Sequence, residues 1–193
     1  MTSSQELPPE ITALLAPEEK VLWSAQPRPA VFMLRGLPNI AYGVTWAVLG
    51  AFWYRGAGGI GHLSAFDGWW RLTPLFSLPF IFAGFSFFFA PIRLGARARR
   101  TWYIVTDRRV MWVEAAAKEG EKPKVRVFGA DDLEALQFLK QRGGFESIVL
   151  ARRAAENPHL QPRLEDGFFG LTDGETALEA IRASSRAAVV GAV

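Results

Sequence analysis

Two long uncharged stretches interrupt an otherwise mixed chain. Gly36 to Tyr54 and Leu72 to Ile92, 19 and 21 residues, lie between arginines and carry no charge. As helices they would span roughly 28 and 31 Å, close to the ~30 Å hydrocarbon core of a bilayer. Neither has the polar stripe of a helix buried in a soluble domain. A helix also satisfies its own backbone groups in lipid. The pattern therefore predicts two transmembrane helices, 36–54 and 72–92. The second is the stronger. Its seven Phe, with Leu72, Leu75, Leu78, Ile81 and Ile92, are worth about −4 to −7 kcal/mol on the insertion scale. The first carries Pro38 and Asn39 and is expected to insert with its partner's help. Thr73-Pro74 predicts a helix start, and Pro79 predicts a kink, because it cannot donate to the Leu75 carbonyl. Gly43, Ala47 and Ala51 facing Ala83, Ser86 and Ala90 form the expected small-residue contact. The spacer 55–71 is short and glycine-rich. With Trp69 and Trp70 suited to an interface, it makes the pair a hairpin.

The flanks have a different rhythm. Pro8 to Leu15 predicts a short helix and Lys20 to Ala25 a strand, ended by Gln-Pro-Arg-Pro. β-branched and aromatic runs at 101–105 and 109–114 flank the polar turn Thr106-Asp107-Arg108, a hairpin. Lys124 to Val127 alternates as a strand with one wet face does. Further strands are expected at Leu133–Lys140, Glu146–Arg152 and Phe168-Phe169. Thr172-Asp-Gly-Glu175 has capping-box spacing. Ala177, Leu178, Ile181, Ser185 and Ala188 then recur at helical spacing. Strands followed by one terminal helix predict a small antiparallel barrel or bent sandwich, with the helix burying one end.

Composition narrows the chemistry. The 193 residues are 50% hydrophobic and 13% aromatic, too rich for a disordered chain. Zero Cys excludes disulfides, thiolate metal sites and a cysteine nucleophile. His62 and His159 are the only histidines, which is little for a histidine-based metal centre. Gly56-Ala-Gly-Gly-Ile-Gly61 matches the dinucleotide fingerprint in letters. It lacks the preceding strand and following helix that the phosphate contact requires. His62, Ser64 and Asp67 lie in a short loop without the folded shield a triad needs. No catalytic residue, cofactor or metal is therefore expected. Basic residues remain. Arg28 and Arg35 precede the first run, and Arg93, Arg97, Arg99 and Arg100 follow the second. That bias places both termini in the cytoplasm. Arg97, Arg99, Arg100, Arg108, Arg109, Lys122, Lys124 and Arg126 are the candidate contacts for anionic lipid. Aromatics such as Trp102, Tyr103 and Trp112 fall in strands, as core does, so no nucleic-acid partner is expected.

Several segments together resemble the bacterial membrane proteins that carry a pleckstrin-homology-like (PH-like) domain. These are Pro-Glu-Glu-Lys-Val-Leu-Trp-Ser-Ala-Gln-Pro at 17–27, a pair of spans, and Trp-Tyr-Ile-Val-Thr-Asp-Arg-Arg-Val-Met at 102–111. Phe-Gly-Ala-Asp-Asp-Leu at 128–133, Gly-Gly-Phe-Glu-Ser-Ile at 143–148 and Gly-Phe-Phe-Gly-Leu-Thr-Asp-Gly-Glu at 167–175 follow in order. The resemblance implies an α+β membrane protein: a transmembrane helical hairpin plus a PH-like bent β-sandwich of seven strands capped by the C-terminal helix. It divides the chain into a cytoplasmic segment 1–35 docking on the domain, spans at 36–54 and 72–92, an external loop 55–71, and a PH-like domain at 97–189. The implied location is the bacterial inner (cytoplasmic) membrane. The expected function is a non-enzymatic scaffold or protein-interaction module at the membrane face, with a protein partner or a second copy. The alternative is recognition of anionic lipid headgroups by the basic residues.

Overall fold

A computed structural model describes residues 7–56, 68–118, 120–141, 144–156 and 162–190. The chain divides into two units. One comprises residues 1–31 and 96–193, the other 32–95. The first is a mixed α+β unit with seven described strands in two antiparallel sheets. β1 (Val21–Ala25), β2 (Thr101–Thr106), β3 (Val110–Glu114) and β4 (Lys124–Phe128) form one sheet in the order β1-β2-β3-β4. β5 (Gln137–Gln141), β6 (Phe145–Val149) and β7 (Gly167–Leu171) form the other. The strand expected at 133–140 begins later, because Ala130–Glu134 forms a short helix, α1 in this unit's central connection. Asp132 there accepts from the Gly129 amide at 3.4 Å and from the Arg152 amide at 3.1 Å, which favours a helical turn over extension.

The inner faces of the two sheets share one core. Trp23, Tyr103, Val105, Val110, Trp112 and Phe128 meet Ile148, Leu150, Phe168 and Leu171. Phe168 is its hub, stacked on Tyr103 at 4.6 Å and on Trp23 at 5.9 Å. The Tyr103 hydroxyl bridges the sheets: it donates to the Phe169 carbonyl (3.1 Å) and accepts from the Phe169 amide (3.0 Å). The C-terminal helix α2, Gly174–Val190, adds Ala177 and Ile181 to this core. Its start differs from the expected capping box. The Gly174 amide donates to Glu146 (2.8 Å) and Glu175 pairs with Lys140 (2.9 Å), because both strands present charges to the helix end.

β2 and β3 are buried on both faces, which is why 101–106 and 110–113 run almost continuously apolar. Their outer face holds Trp102, Ile104, Met111 and Val113. The N-terminal segment covers it through Ile11, in a one-turn helix at Pro9–Thr12 (α3), with Leu7, Leu14 and Leu15.

The second unit is helical. Helix α4, Pro29–Gly56, contributes its residues from Phe32 onward and runs 28 residues through Pro38. After residues 57–67, which lie outside the described ones, a 3-10 helix at Gly68–Ser77 leads into α5, Leu78–Phe88, and α6, Ala90–Ala98. The α-helix thus starts after Ser77 and not at Thr73-Pro74. The Ser77 hydroxyl holds the end of the 3-10 turn by donating to the Pro74 carbonyl at 2.6 Å. Pro79 occupies the first turn of α5, where no amide is missed, so it makes no kink. The break falls instead at Phe89, beside Pro91. There the Arg93 guanidinium bends back and donates to the Ser86 carbonyl at 2.6 Å and to its hydroxyl at 3.3 Å.

The helices touch along a seven-residue repeat. A β-carbon at Gly43 would lie 2.8 Å from the Gly84 carbonyl oxygen. At Gly84 it would lie 2.9 Å from the Ala47 nitrogen. Gly36 meets Pro91 and Gly50 meets Ile81 equally closely. Gly43 and Ala47 of the expected stripe do pack on Gly84, but Ala51 falls outside the contact, because two four-residue steps drift about 80° around a helix whereas seven residues nearly close two turns. Ala51 and Ser86 are accordingly exposed. Among the described residues, all of the exposed large hydrophobics except Val125, Val127 and Leu139 belong to this unit. Among the described residues, one helical stretch, Pro74–Ala98 of 25 residues, is long and apolar enough to cross a membrane. The expectation was two. α4 has the length, but Pro38, Asn39, Arg35 and its Tyr and Trp residues dilute its apolarity.

Candidate functional site

The most distinctive sequence element, Thr106-Asp107-Arg108-Arg109, caps the β2–β3 hairpin. The Thr106 hydroxyl oxygen accepts from the amides of Arg108 (3.3 Å) and Arg109 (3.0 Å), which fixes the turn. The rest of the motif grips the segment before β1. Lys20 and Asp107 exchange two bonds: the Lys20 amide donates to the Asp107 carboxylate and the Asp107 amide to the Lys20 carbonyl, each at 3.0 Å. Arg109 donates from Nε and Nη2 to the two oxygens of Glu19, both at 2.8 Å, and from Nη2 to the Leu14 carbonyl at 3.1 Å. Glu19 also accepts from the Ala16 amide and the Thr106 hydroxyl. Its side chain is 1% exposed. The Arg109 hydrogen bonds, working against burial, hold the Glu19 carboxyl down to about 2. Arg109 is raised in turn by the same bonds. Arg108 reaches Glu18 at 3.5 Å on the surface. Residues 14–20 and the 106–109 turn are therefore each other's ligands.

Two more of the eight candidate cations are committed to carboxylates. Arg97 pairs with Glu114 at 2.9 Å and lies over the Trp112 ring. Arg126 pairs with Asp166 at 2.8 Å and lies over Phe128, on the inner face of its strand. Arg99, Arg100, Lys122 and Lys124 form no ion pair with a described carboxylate, and Arg99, Lys122 and Lys124 are exposed. The β3–β4 register sets Lys124 opposite Glu114, and Glu114 opposite Thr101. Arg99, Arg100 and Lys124 thus share one end of the four-stranded sheet, with Lys122 just before β4. The 107–109 turn is at the other end, about 20 Å away along six strand residues. The candidate cations therefore divide between two ends of a sheet, because alternate strands run in opposite directions. At the Arg99 end the Gln26 side chain, just past β1, donates to the Arg99 carbonyl at 3.0 Å. Arg108 and Lys124 are close in sequence, and only the register separates them.

A surface depression of about 440 Å³ is lined by Asp131, Glu134, Ala135, Gln137, Arg152, Ala155 and Glu156. Arg152 is tied to Glu156 at 2.6 Å and Gln137 to the Ala155 carbonyl at 2.6 Å. The described lining of the depression contains no Ser, Thr or His. Among the described residues no group of three His, Asp or Glu converges as metal ligands would. His62, Ser64, Asp67, His159 and most of the glycine-rich 56–61 segment lie outside the described residues. No family model matches the chain, and no curated protein or solved structure matches it either.

Proposed function

We propose that the chain is an integral membrane protein with two spans, 36–54 and 72–92, and a PH-like unit that acts without catalysis, as a binding scaffold at the cytoplasmic face of a bacterial inner membrane. The observation that carries this reading is that, among the described residues, nearly all exposed large hydrophobics lie within 33–92. Water would leave that surface unpaid in free energy, while lipid solvates it. The close Gly43–Gly84 contact suits helix association where hydrophobic force is absent. The four-plus-three strand arrangement with a terminal helix supports the PH-like assignment. Because the chain has no Cys, single-cysteine variants test the topology cleanly. In intact cells a membrane-impermeant maleimide should label Ser64→Cys and leave Ser185→Cys untouched until the membrane is opened. Equal labelling of both, or a chain that remains in the soluble fraction, refutes the two-span reading.

A second reading rests on the four cations without described carboxylate partners. Arg99, Arg100, Lys122 and Lys124 gather at the sheet end from which the chain leaves for the helices, where anionic headgroups would attract each by about 1 kcal/mol. Full-length protein in nanodiscs of acidic lipid should show slower amide exchange at 99–101 and 120–124 than in neutral nanodiscs, and high salt should erase the difference. Identical exchange in both discs removes this reading and leaves the first intact.

A further inference from the structure

We propose that the outer edge of β4 is a docking site for an extended protein segment in which acidic and apolar residues alternate. The proposal rests on the binding-scaffold reading and names the partner that reading lacks. β4 closes one side of the four-stranded sheet and bonds only to β3. Beyond that ladder, no described backbone group bonds to residues 124–128, so the far side of the strand offers a row of free amides and carbonyls. The three alternate residues Lys124, Arg126 and Phe128 face inward, while Val125 and Val127 face out. The register sets Val127 beside Met111 and Val125 beside Val113. Those neighbours are buried beneath the N-terminal segment, yet the two valines are 48% and 42% exposed. The apolar outer face therefore runs past its own cover and ends on an open edge.

Charge selects the occupant. Lys122 and Lys124 flank the edge and pair with no described carboxylate, whereas Arg97, Arg108, Arg109 and Arg126 are all matched. A second copy of β4 is disfavoured, since antiparallel self-pairing would bring cationic Lys124 and Arg126 against their own kind. A partner strand that alternates has one apolar row to cover Val125 and Val127 and one acidic row to meet Lys122 and Lys124. Main-chain bonds supply affinity and the two rows supply selectivity.

The test uses the full chain in detergent micelles and a nine-residue probe alternating Glu and Val. A Lys–Val probe of the same length is the comparator. The Glu–Val probe should slow amide exchange across 124–128, and the Lys–Val probe should not. Val125→Ser with Val127→Ser should weaken binding about tenfold or more. Lys122→Glu with Lys124→Glu, which alters only exposed side chains, should abolish it, and about 0.5 M salt should weaken it severalfold. Leu139→Ser on the edge of the other sheet should change nothing. No slowing, slowing by both probes alike, or slowing confined to other strands each overturns the proposal. None of these outcomes touches the cysteine-labelling result, so the scaffold reading stands or falls separately.

Discussion

Replacing Glu19 by Gln removes one charge from the clamp and keeps nearly all of its shape. The folded-state carboxyl is held from 4.5 down to about 2. A shift of that size corresponds to about 3 kcal/mol. Arg109 remains a third exposed, so solvent screening reduces the expected value to about 2–3 kcal/mol. The sign follows from linkage. A depressed folded pKa gives stability that is complete above 4.5 and is lost as pH falls toward about 2. Urea unfolding of the full chain in nonionic detergent, followed by near-UV dichroism of the buried tryptophans Trp23, Trp102 and Trp112, measures it. Near neutral pH, Glu19→Gln should be about 2–3 kcal/mol less stable than the parent, and the gap should close through the acid range. Arg109→Gln should cost as much or more, and the double variant should cost little beyond either one. A Glu19→Gln variant within about 0.5 kcal/mol of the parent near pH 7 refutes the argument. So does a deficit that survives undiminished at acid pH.

Three further outcomes test the packing. Tyr103→Phe leaves the Phe169 amide and carbonyl without the hydroxyl that bridges the sheets, and should cost about 2–4 kcal/mol in the same unfolding assay; an unchanged midpoint contradicts the bridge. Ile11→Ala should cost about 2–4 kcal/mol and speed amide exchange in β2 and β3, if the N-terminal turn truly covers that face. Gly43→Ala forces a methyl against the Gly84 carbonyl and should destabilise the helical unit by about 1–3 kcal/mol in detergent titration. Gly56→Ala, whose methyl meets nothing within 4 Å, should be silent.

Local pattern carried the strands and failed where distant residues decide. Alternation at 124–127, the aromatic runs at 101–113 and the polar Thr-Asp-Arg turn each correspond to an observed strand or hairpin. Lys20 to Ala25 does pair with β2, though with a bulge between Val21 and Trp23. The candidate site was less legible. Arg108 and Arg109 look like free cations in sequence, and only the return of residues 14–20 across the hairpin shows them engaged. Arg126 looks like the wet row of an alternating strand, but Asp166, 40 residues on, claims it. In the helices, proline position misled in a similar way. Pro79 is harmless because the preceding turn is 3-10, a conformation that composition does not signal. The helix contact was read correctly at Gly43 and Ala47 but carried on to Ala51, because the repeat was sought at four residues instead of seven.

β1 and β2 are hydrogen-bonded neighbours, yet the entire helical excursion from Gln26 to Arg100 lies between them. During synthesis Trp23 must wait, solvated, until the ribosome has delivered its partner strand. Under the proposed topology, that partner returns to the same side only after an even number of crossings. One failed insertion would leave β1 and β2 in different compartments, with the first sheet lacking its edge strand and Phe168 of the other sheet lacking Trp23. Under that topology, completion of this sheet would act as a proofreading step, since the domain would close only on a hairpin threaded correctly.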